Sequence, residues 1–206
     1  MSPARRHAPR VGIVALQGDV AEHAAVLEDL GAAATMVRAP IDARDLDALV
    51  LPGGESTTMS MLLEWSGLRD EISKMVDDGL PMLGTCAGMI LLARQVLDGR
   101  PDQVSFGAID IAVRRNAFGR QLDSFETDLR VDGLRGGPMH AVFIRAPVVE
   151  ETGAGVDVLA SLSPGPGAPP LPVVCSEGPV IVAAFHPELA GDRRLHELLL
   201  QRIEGD

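Results

Sequence analysis

Residues 80–97 read LPMLGTCAGMILLARQVL, and the passage from apolar run to tight bend to helical pattern within them decides the fold. Leu80 to Gly84 has the character of a short buried strand, and Met89 to Leu97 predicts a helix. Between them, Gly84-Thr85-Cys86-Ala87-Gly88 is a Gly-x-nucleophile-x-Gly turn. Such a turn lets the chain double back so tightly that the central side chain stands out above the sheet. The flanking glycines remove the Cβ atoms that would clash there. A helix starting at Ala87 would offer free backbone N–H groups and the positive end of a dipole, both of which stabilise a thiolate and an oxyanion. A free cysteine is ordinarily a small buried hydrophobe. The turn sets Cys86 apart.

Working outward, the first half of the chain alternates strand-like and helical runs. Val11 to Leu16 reads as a strand, and Val20 to Leu30 as a helix with Val20, Ala24, Leu27 and Leu30 on one face, stopped by Gly31. Ala33 to Val37 and Leu49 to Leu51 are further strands, and Thr57 to Trp65 and Leu68 to Asp78 further helices. This alternation predicts an α/β fold: an open, mostly parallel central sheet flanked by helices, a flavodoxin-like three-layer arrangement. From Ser105 onward the texture changes. Short runs at 109–113, 127–131, 140–144, 156–162, 172–176 and 180–185, separated by Gly, Pro and Asp, predict additional strands, mixed or antiparallel, on the same sheet. Asp192 to Ile203 reads as a closing helix. The expected organisation is a flexible extension over 1–10 and a single domain over 11–206.

Composition narrows the function classes. Lys and Arg number 18 against 29 Asp and Glu, a formal charge of −11, which argues against a nucleic-acid surface or an anionic membrane as partner. Aromatic residues are only 3%, which removes the stacking platforms of single-strand binders. Two cysteines make no disulfide framework, no apolar run approaches 18 residues, and no export signal follows Arg5-Arg6. The cytoplasm is the expected location.

A thiolate needs a base, and the base needs an orienting group. Val180 to Phe185 is a strand that runs into His186-Pro187-Glu188. In extended chain residues i and i+2 point the same way, so His186 and Glu188 share a side, and Pro187 keeps His186 out of the helical region. Strand ends are where open α/β sheets place their sites. Of the other histidines, His7 lies in the tail and His23 and His196 are expected to face solvent. His140, opening a strand, is the one competitor as base. No histidine pair has metal-ligand spacing, so neither a metal nor a cofactor is expected.

A third element, Leu51-Pro52-Gly53-Gly54-Glu55-Ser56-Thr57-Thr58, again joins a strand end to a helix. Its glycines let a backbone N–H face a developing negative charge, Ser56 or Thr57 can cap the helix, and Glu55 could hold an ammonium group. Phosphate cradling is the rival, but no Walker lysine follows.

Together, PGGESTT, GTCAG and HPEL resemble a class I, triad-type glutamine amidotransferase. The narrower resemblance is to the glutaminase subunits of pyridoxal 5′-phosphate synthase. It is carried by Leu16-Gln17-Gly18-Asp19 with Glu22-His23, by RNAFGRQ (115–121), by DSFE (123–126) and by VFIRAP (142–147), and covers about 10–204. The resemblance implies Cys86 as nucleophile, His186 and Glu188 completing the triad, and the Gly54 and Ala87 amides as oxyanion hole. It implies that L-glutamine contacts Gly54, Glu55, Ser56, Arg115, Ile144 and Arg145, an arginine fork suiting the α-carboxylate and Glu55 the α-ammonium. It further implies that ammonia passes to a (β/α)8-barrel synthase subunit in a large hetero-oligomer. The basic extension and a long Pro/Gly loop over 163–172 depart from the family pattern. The alternatives are a glutaminase serving another synthase, a non-catalytic binding module, or a redox-sensing relative. The presence of Cys86, His186 and Glu188 together speaks against the binding module, and His-Pro-Glu together with Pro-Gly-Gly-Glu-Ser against the redox-sensing relative.

Overall fold

The computed structural model describes residues 7–115, 124–163, 165 and 167–205. Most of the RNAFGRQ segment, 116–121, and two residues of the Pro/Gly loop lie outside them. The first half runs β1 (Arg10–Val14), α1 (Val20–Asp29), β2 (Ala33–Val37), a 3-10 turn (Pro40–Ala43), β3 (Ala48–Leu51), α2 (Ser56–Ser66), α3 (Leu68–Asp77), β4 (Met82–Thr85) and α4 (Ala87–Leu92). There follow β5 (Ala93–Val96), β6 (Ile109–Arg114), β7 (Ser124–Leu129), β8 (Met139–Ile144), β9 (Val148–Thr152), β10 (Asp157–Leu162), β11 (Leu171–Glu177), β12 (Val180–Ala183) and α5 (Arg194–Glu204).

Among the described residues, the main sheet has seven strands in the order β10-β11-β12-β4-β3-β1-β2. The pairings from β2 through β1, β3 and β4 to β12 are all parallel, while β11 and β10 add antiparallel at the edge. The expected α/β class is therefore what the chain adopts. β3, β4 and β12 are buried along their whole length, as strands covered on both faces must be. The strand order reverses beside β1, the switch point at which open α/β sheets leave a crevice above their carboxyl ends.

Two successive residues of β4 show how the layers are assigned. An ideal Cβ on Gly84 would lie 2.7 Å from the Gly88 carbonyl carbon and 2.8 Å from Leu92 Cδ1, so this position faces α4. Thr85 Oγ1 instead lies 3.2 Å from His23 Nε2 on α1. Side chains alternate along a strand, so α4 and α1 cover opposite faces. His23 Nδ1 sits 2.8 Å from His196 Nε2, which brings α5 beside α1 on the second face.

The later strands depart from expectation. Among the described residues, only β10, β11 and β12 of these later strands join the main sheet; β5, β6 and β9 form a sheet of their own, and β7 and β8 an antiparallel pair. β9 has no counterpart in the sequence reading. The expected helix over 89–97 also ends early, at Leu92. Ala93 turns extended, with φ −58° and ψ 151°, and Ala93–Val96 pairs with β6 in parallel. Helical spacing persists to Leu97, but the pairing satisfies Ala93 and its neighbours from outside, and tertiary context overrides a weak local preference.

The tightest joint is between α4 and β3. A Cβ on Gly88 would fall 1.9 Å from the Leu51 carbonyl oxygen, a contact between backbones that no rotamer change relieves. Gly88→Ala is expected to cost at least about 2 kcal/mol through forced backbone displacement. In thermal melts this should lower the midpoint by roughly 5 °C or more; an unchanged midpoint would contradict the packing described here.

Candidate active site

Four strand ends converge at the carboxyl edge of the sheet. The segment after β1 contributes Gln17, Gly18 and Asp19; that after β3 contributes Gly54, Glu55 and Ser56; the turn after β4 contributes Cys86; and the end of β12 leads to His186. With Ile90, Arg115, Ile144 and Arg145 they line a cavity of about 320 Å³, at the small end of ligand pockets.

Cys86 occupies the turn in a conformation that side chains seldom adopt, φ 48° and ψ −103°. A non-glycine residue in such a region costs roughly 1–3 kcal/mol and persists only where its surroundings hold it. The Cys86 amide donates to the Ala183 carbonyl at 2.8 Å, and the thiol approaches the Ile144 carbonyl at 3.8 Å. The side chain is largely buried yet opens on the cavity, between β4 and β12.

His186 is buried and faces the Cys86 thiol across the cavity, while its Nδ1 lies 2.8 Å from Glu188 Oε1. Gly53 makes room for this ring: a Cβ there would lie 2.2 Å from His186 Cε1. The His186 amide donates to the Val142 carbonyl at 2.9 Å, which ties the end of β12 to β8. Burial pulls the imidazole towards neutrality, but its bonds to Cys86 and Glu188 outweigh this and push it up to about 10. Burial pushes the Glu188 carboxyl up, and the His186 N–H opposes that rise. His186 thus sits between the Cys86 sulfur and the Glu188 carboxyl, both of which favour its protonated form.

Eight of the ten expected site residues line the cavity, Glu188 sits behind His186 and Ala87 directly follows Cys86, though not all are in the expected state. Glu55, rather than Ser56 or Thr57, is the N-cap of α2. Its carboxylate accepts from the Thr58 amide at 2.7 Å, the Thr57 amide at 3.1 Å and the Thr58 hydroxyl at 2.9 Å. Burial opposes ionisation, yet these donors hold the carboxyl below its ordinary range. Ser56 is buried, and its carbonyl accepts from Ser60 Oγ. Arg115 is anchored by Thr57 Oγ1 at 2.7 Å and by Asp98, whose carboxylate accepts from the Arg115 amide at 2.8 Å. Arg145 stands at a sharp bend after β8 with φ 43°, exposed at the rim beside Ile144. Ala87 opens α4 directly after Cys86.

The histidines correct the sequence reading. His140 is exposed on β8 and held by Asp128 at 3.1 Å and Glu126 at 3.0 Å, with no place in the cavity. His23 and His196, expected at the surface, are completely buried. The contact between α1 and α5 that covers them is tertiary, and helical spacing does not reveal it. Asp19 was missed as well: its Oδ2 is a second acceptor 3.1 Å from His186 Nδ1. The signal available was the Gln17-Gly18-Asp19 to Glu22-His23 stretch, whose spacing aims both residues at one place. Among the described residues, Asp19, His186 and Glu188 also form a group close enough to hold a cation. A cation there would compete for the very Nδ1 that Glu188 holds.

Comparison with known proteins agrees with this geometry. The chain is 55% identical over 197 residues to the pyridoxal 5′-phosphate synthase subunit PdxT of Frankia alni, covering 96% of each chain. It is 54% identical over 198 residues to the protein of the same name from Rhodococcus jostii, covering 96% of this chain and 98% of that one. A solved structure described as a glutamine amidotransferase superposes with a TM-score of 0.84 at 47% identity, covering 94% of this chain and 98% of that one. The sequence profile of one family spans residues 13–205, and on this evidence the chain belongs to the SNO glutamine amidotransferase family.

Proposed function

We propose that this chain is the glutaminase subunit of a pyridoxal 5′-phosphate synthase, hydrolysing L-glutamine to L-glutamate and ammonia for a synthase partner. The observation that carries the reading is the His186 imidazole held between Cys86 and the Glu188 carboxylate at 2.8 Å, beside a cavity of about 320 Å³. The names of the relatives support the choice of synthase.

In this reading the Cys86 thiolate attacks the glutamine δ-carbonyl, and the carbonyl electron pair moves onto oxygen. The amides of Gly54 and Ala87 receive that oxyanion, with the start of α4 behind it. His186 gives its proton to the departing nitrogen, the C–N bond breaks, and a γ-glutamyl thioester remains. The neutral imidazole then takes a proton from water, whose oxygen attacks the thioester; glutamate leaves and the thiolate returns. Glu188 holds the ring in one tautomer and offsets its charge. Arg115, already oriented by Thr57 and Asp98, and Arg145 at the rim are the candidates for the substrate α-carboxylate. Glu55 has its oxygens facing amides, and any remaining acceptor capacity serves the α-ammonium. The barrel-shaped partner, its hetero-oligomer and the passage of ammonia to it belong to this proposal, supported by family membership and by the relatives' names.

Three outcomes are expected. Cys86→Ala should abolish ammonia release from glutamine, measured in the presence of the synthase, while leaving the circular dichroism spectrum and docking intact; residual turnover at the wild-type rate would remove Cys86 from its role. A glutamine-like electrophile should label Cys86 and spare Cys175, which is wholly buried and whose thiol burial pushes up to about 12; peptide mapping by mass spectrometry reads this directly. Finally, His186 rises from 6.5 to about 10 on folding. A raised imidazole adds stability that is whole below the unfolded value and is lost as pH climbs through the folded one. Urea melts should therefore show the wild type losing more stability than Cys86→Ala between about pH 6.5 and 10, and parallel profiles would argue against the pairing.

A further inference from the structure

Behind the triad, on the face of the sheet covered by α1 and α5, lies a polar cluster that the proposed reaction leaves unused. His23 and His196 are both completely buried. His23 Nδ1 meets His196 Nε2 at 2.8 Å, and His23 Nε2 lies 3.2 Å from Thr85 Oγ1 and 3.5 Å from Glu188 Oε1. One ring thus touches both arms of the site: the residue that precedes Cys86 in the turn, and the carboxylate that orients His186.

The unpaired atoms decide which way the protons point. Among the described residues, His196 Nδ1 is buried without a partner. If His23 donated from Nδ1, His196 would carry its own proton on that bare Nδ1, and the His23 Nε2 lone pair would face the Glu188 carboxylate. A buried unmatched N–H and a lone pair opposed to an anion are both costly. The reverse order avoids both: His196 Nε2–H donates to His23 Nδ1, and the His23 proton sits on Nε2, towards Thr85 and Glu188. A second positive charge is not available in place of this order. Burial drives His23 well below its ordinary value, helped by His196 and His186, and burial takes His196 down to about 4 against the pull of Asp192. The remaining charged neighbours are Asp19, whose carboxylate meets the same His186 Nδ1 as Glu188 and lies close to it, and Glu22 and Arg193, which share a surface hollow with Glu188.

We propose that His23 is a positioning residue for the triad, and that His196 fixes its tautomer so that an Nε2–H is directed at the Thr85 hydroxyl and the Glu188 carboxylate. The proposal rests on the glutaminase reading of the site. The 3.5 Å approach to Glu188 is an electrostatic contact longer than a full hydrogen bond, so its effect is to keep the carboxylate charged and aimed rather than to move a proton. Through His196 the same contact makes the closing helix part of the active-site support.

The test compares His23→Leu, which removes the donor, with His23→Gln, whose amide can supply an N–H near the Nε2 position. Ammonia release from glutamine would be followed across pH with the full chain assembled with its synthase. His23→Leu should lower kcat about tenfold with KM within about twofold, and move the acid limb of kcat/KM upward by about one pH unit, because a carboxylate deprived of a donor takes up its proton at higher pH. His23→Gln should recover most of both effects. Equal losses in the two variants, or an unmoved acid limb in His23→Leu, would overturn the proposal. Imidazole nitrogen-15 spectra of the wild-type chain test it without any activity: a neutral His23 protonated on Nε2 is expected, and one protonated on Nδ1 overturns it. Absence of wild-type ammonia release would instead count against the glutaminase reading and leave the spectroscopic result to decide the tautomer.

Discussion

The site depends on backbone packing against backbone where α4 leaves the sheet. Gly84 and Gly88 approach each other and Gly88 approaches the Leu51 carbonyl more closely than any side chain allows. That closeness lets α4 begin one residue after β4's turn, and it forces Cys86 to φ 48°. The strain is local, of the order of 1–3 kcal/mol, and is held by a fully buried helix and the hydrogen bond from Cys86 to Ala183. Without that turn the thiol would be one more apolar group in the core, as Cys175 is.

Once the sulfur is fixed, the rest of the site is an exercise in balancing buried charge. A buried imidazole prefers neutrality, as His23 and His196 illustrate. His186 departs from them because it has partners on both sides, Cys86 and the Glu188 and Asp19 carboxylates. Three buried histidines are thus pushed in opposite directions, His23 and His196 down by burial and His186 up by its partners. Gly53 belongs to the same balance, since the ring can reach its place only where no Cβ stands.

The support around the cavity comes from parts of the chain with different histories in the fold. The parallel core supplies Cys86, Glu55 and His186, while the later strands supply Arg115, Ile144 and Arg145. The backbone bond from His186 to Val142 joins these two parts at the edge of the cavity. Movement of β8 or of the bend at Arg145 would therefore act directly on the mooring of His186.

Much of this was legible in the sequence for local reasons. The apolar runs ending in PGG, GTCAG and HPE marked the strand ends, because glycine at a bend and proline after histidine constrain the backbone whatever the rest of the chain does. Cys86, His186 and Glu188 could accordingly be named together. What only the tertiary structure decided were the non-local choices: that α4 stops at Leu92 for pairing with β6, that the late strands divide among three sheets, that Glu55 spends its oxygens capping α2, and that His23 meets His196 in the interior. Each is settled by which surface another segment covers or which donor it supplies, and periodicity along one segment carries no record of its neighbours.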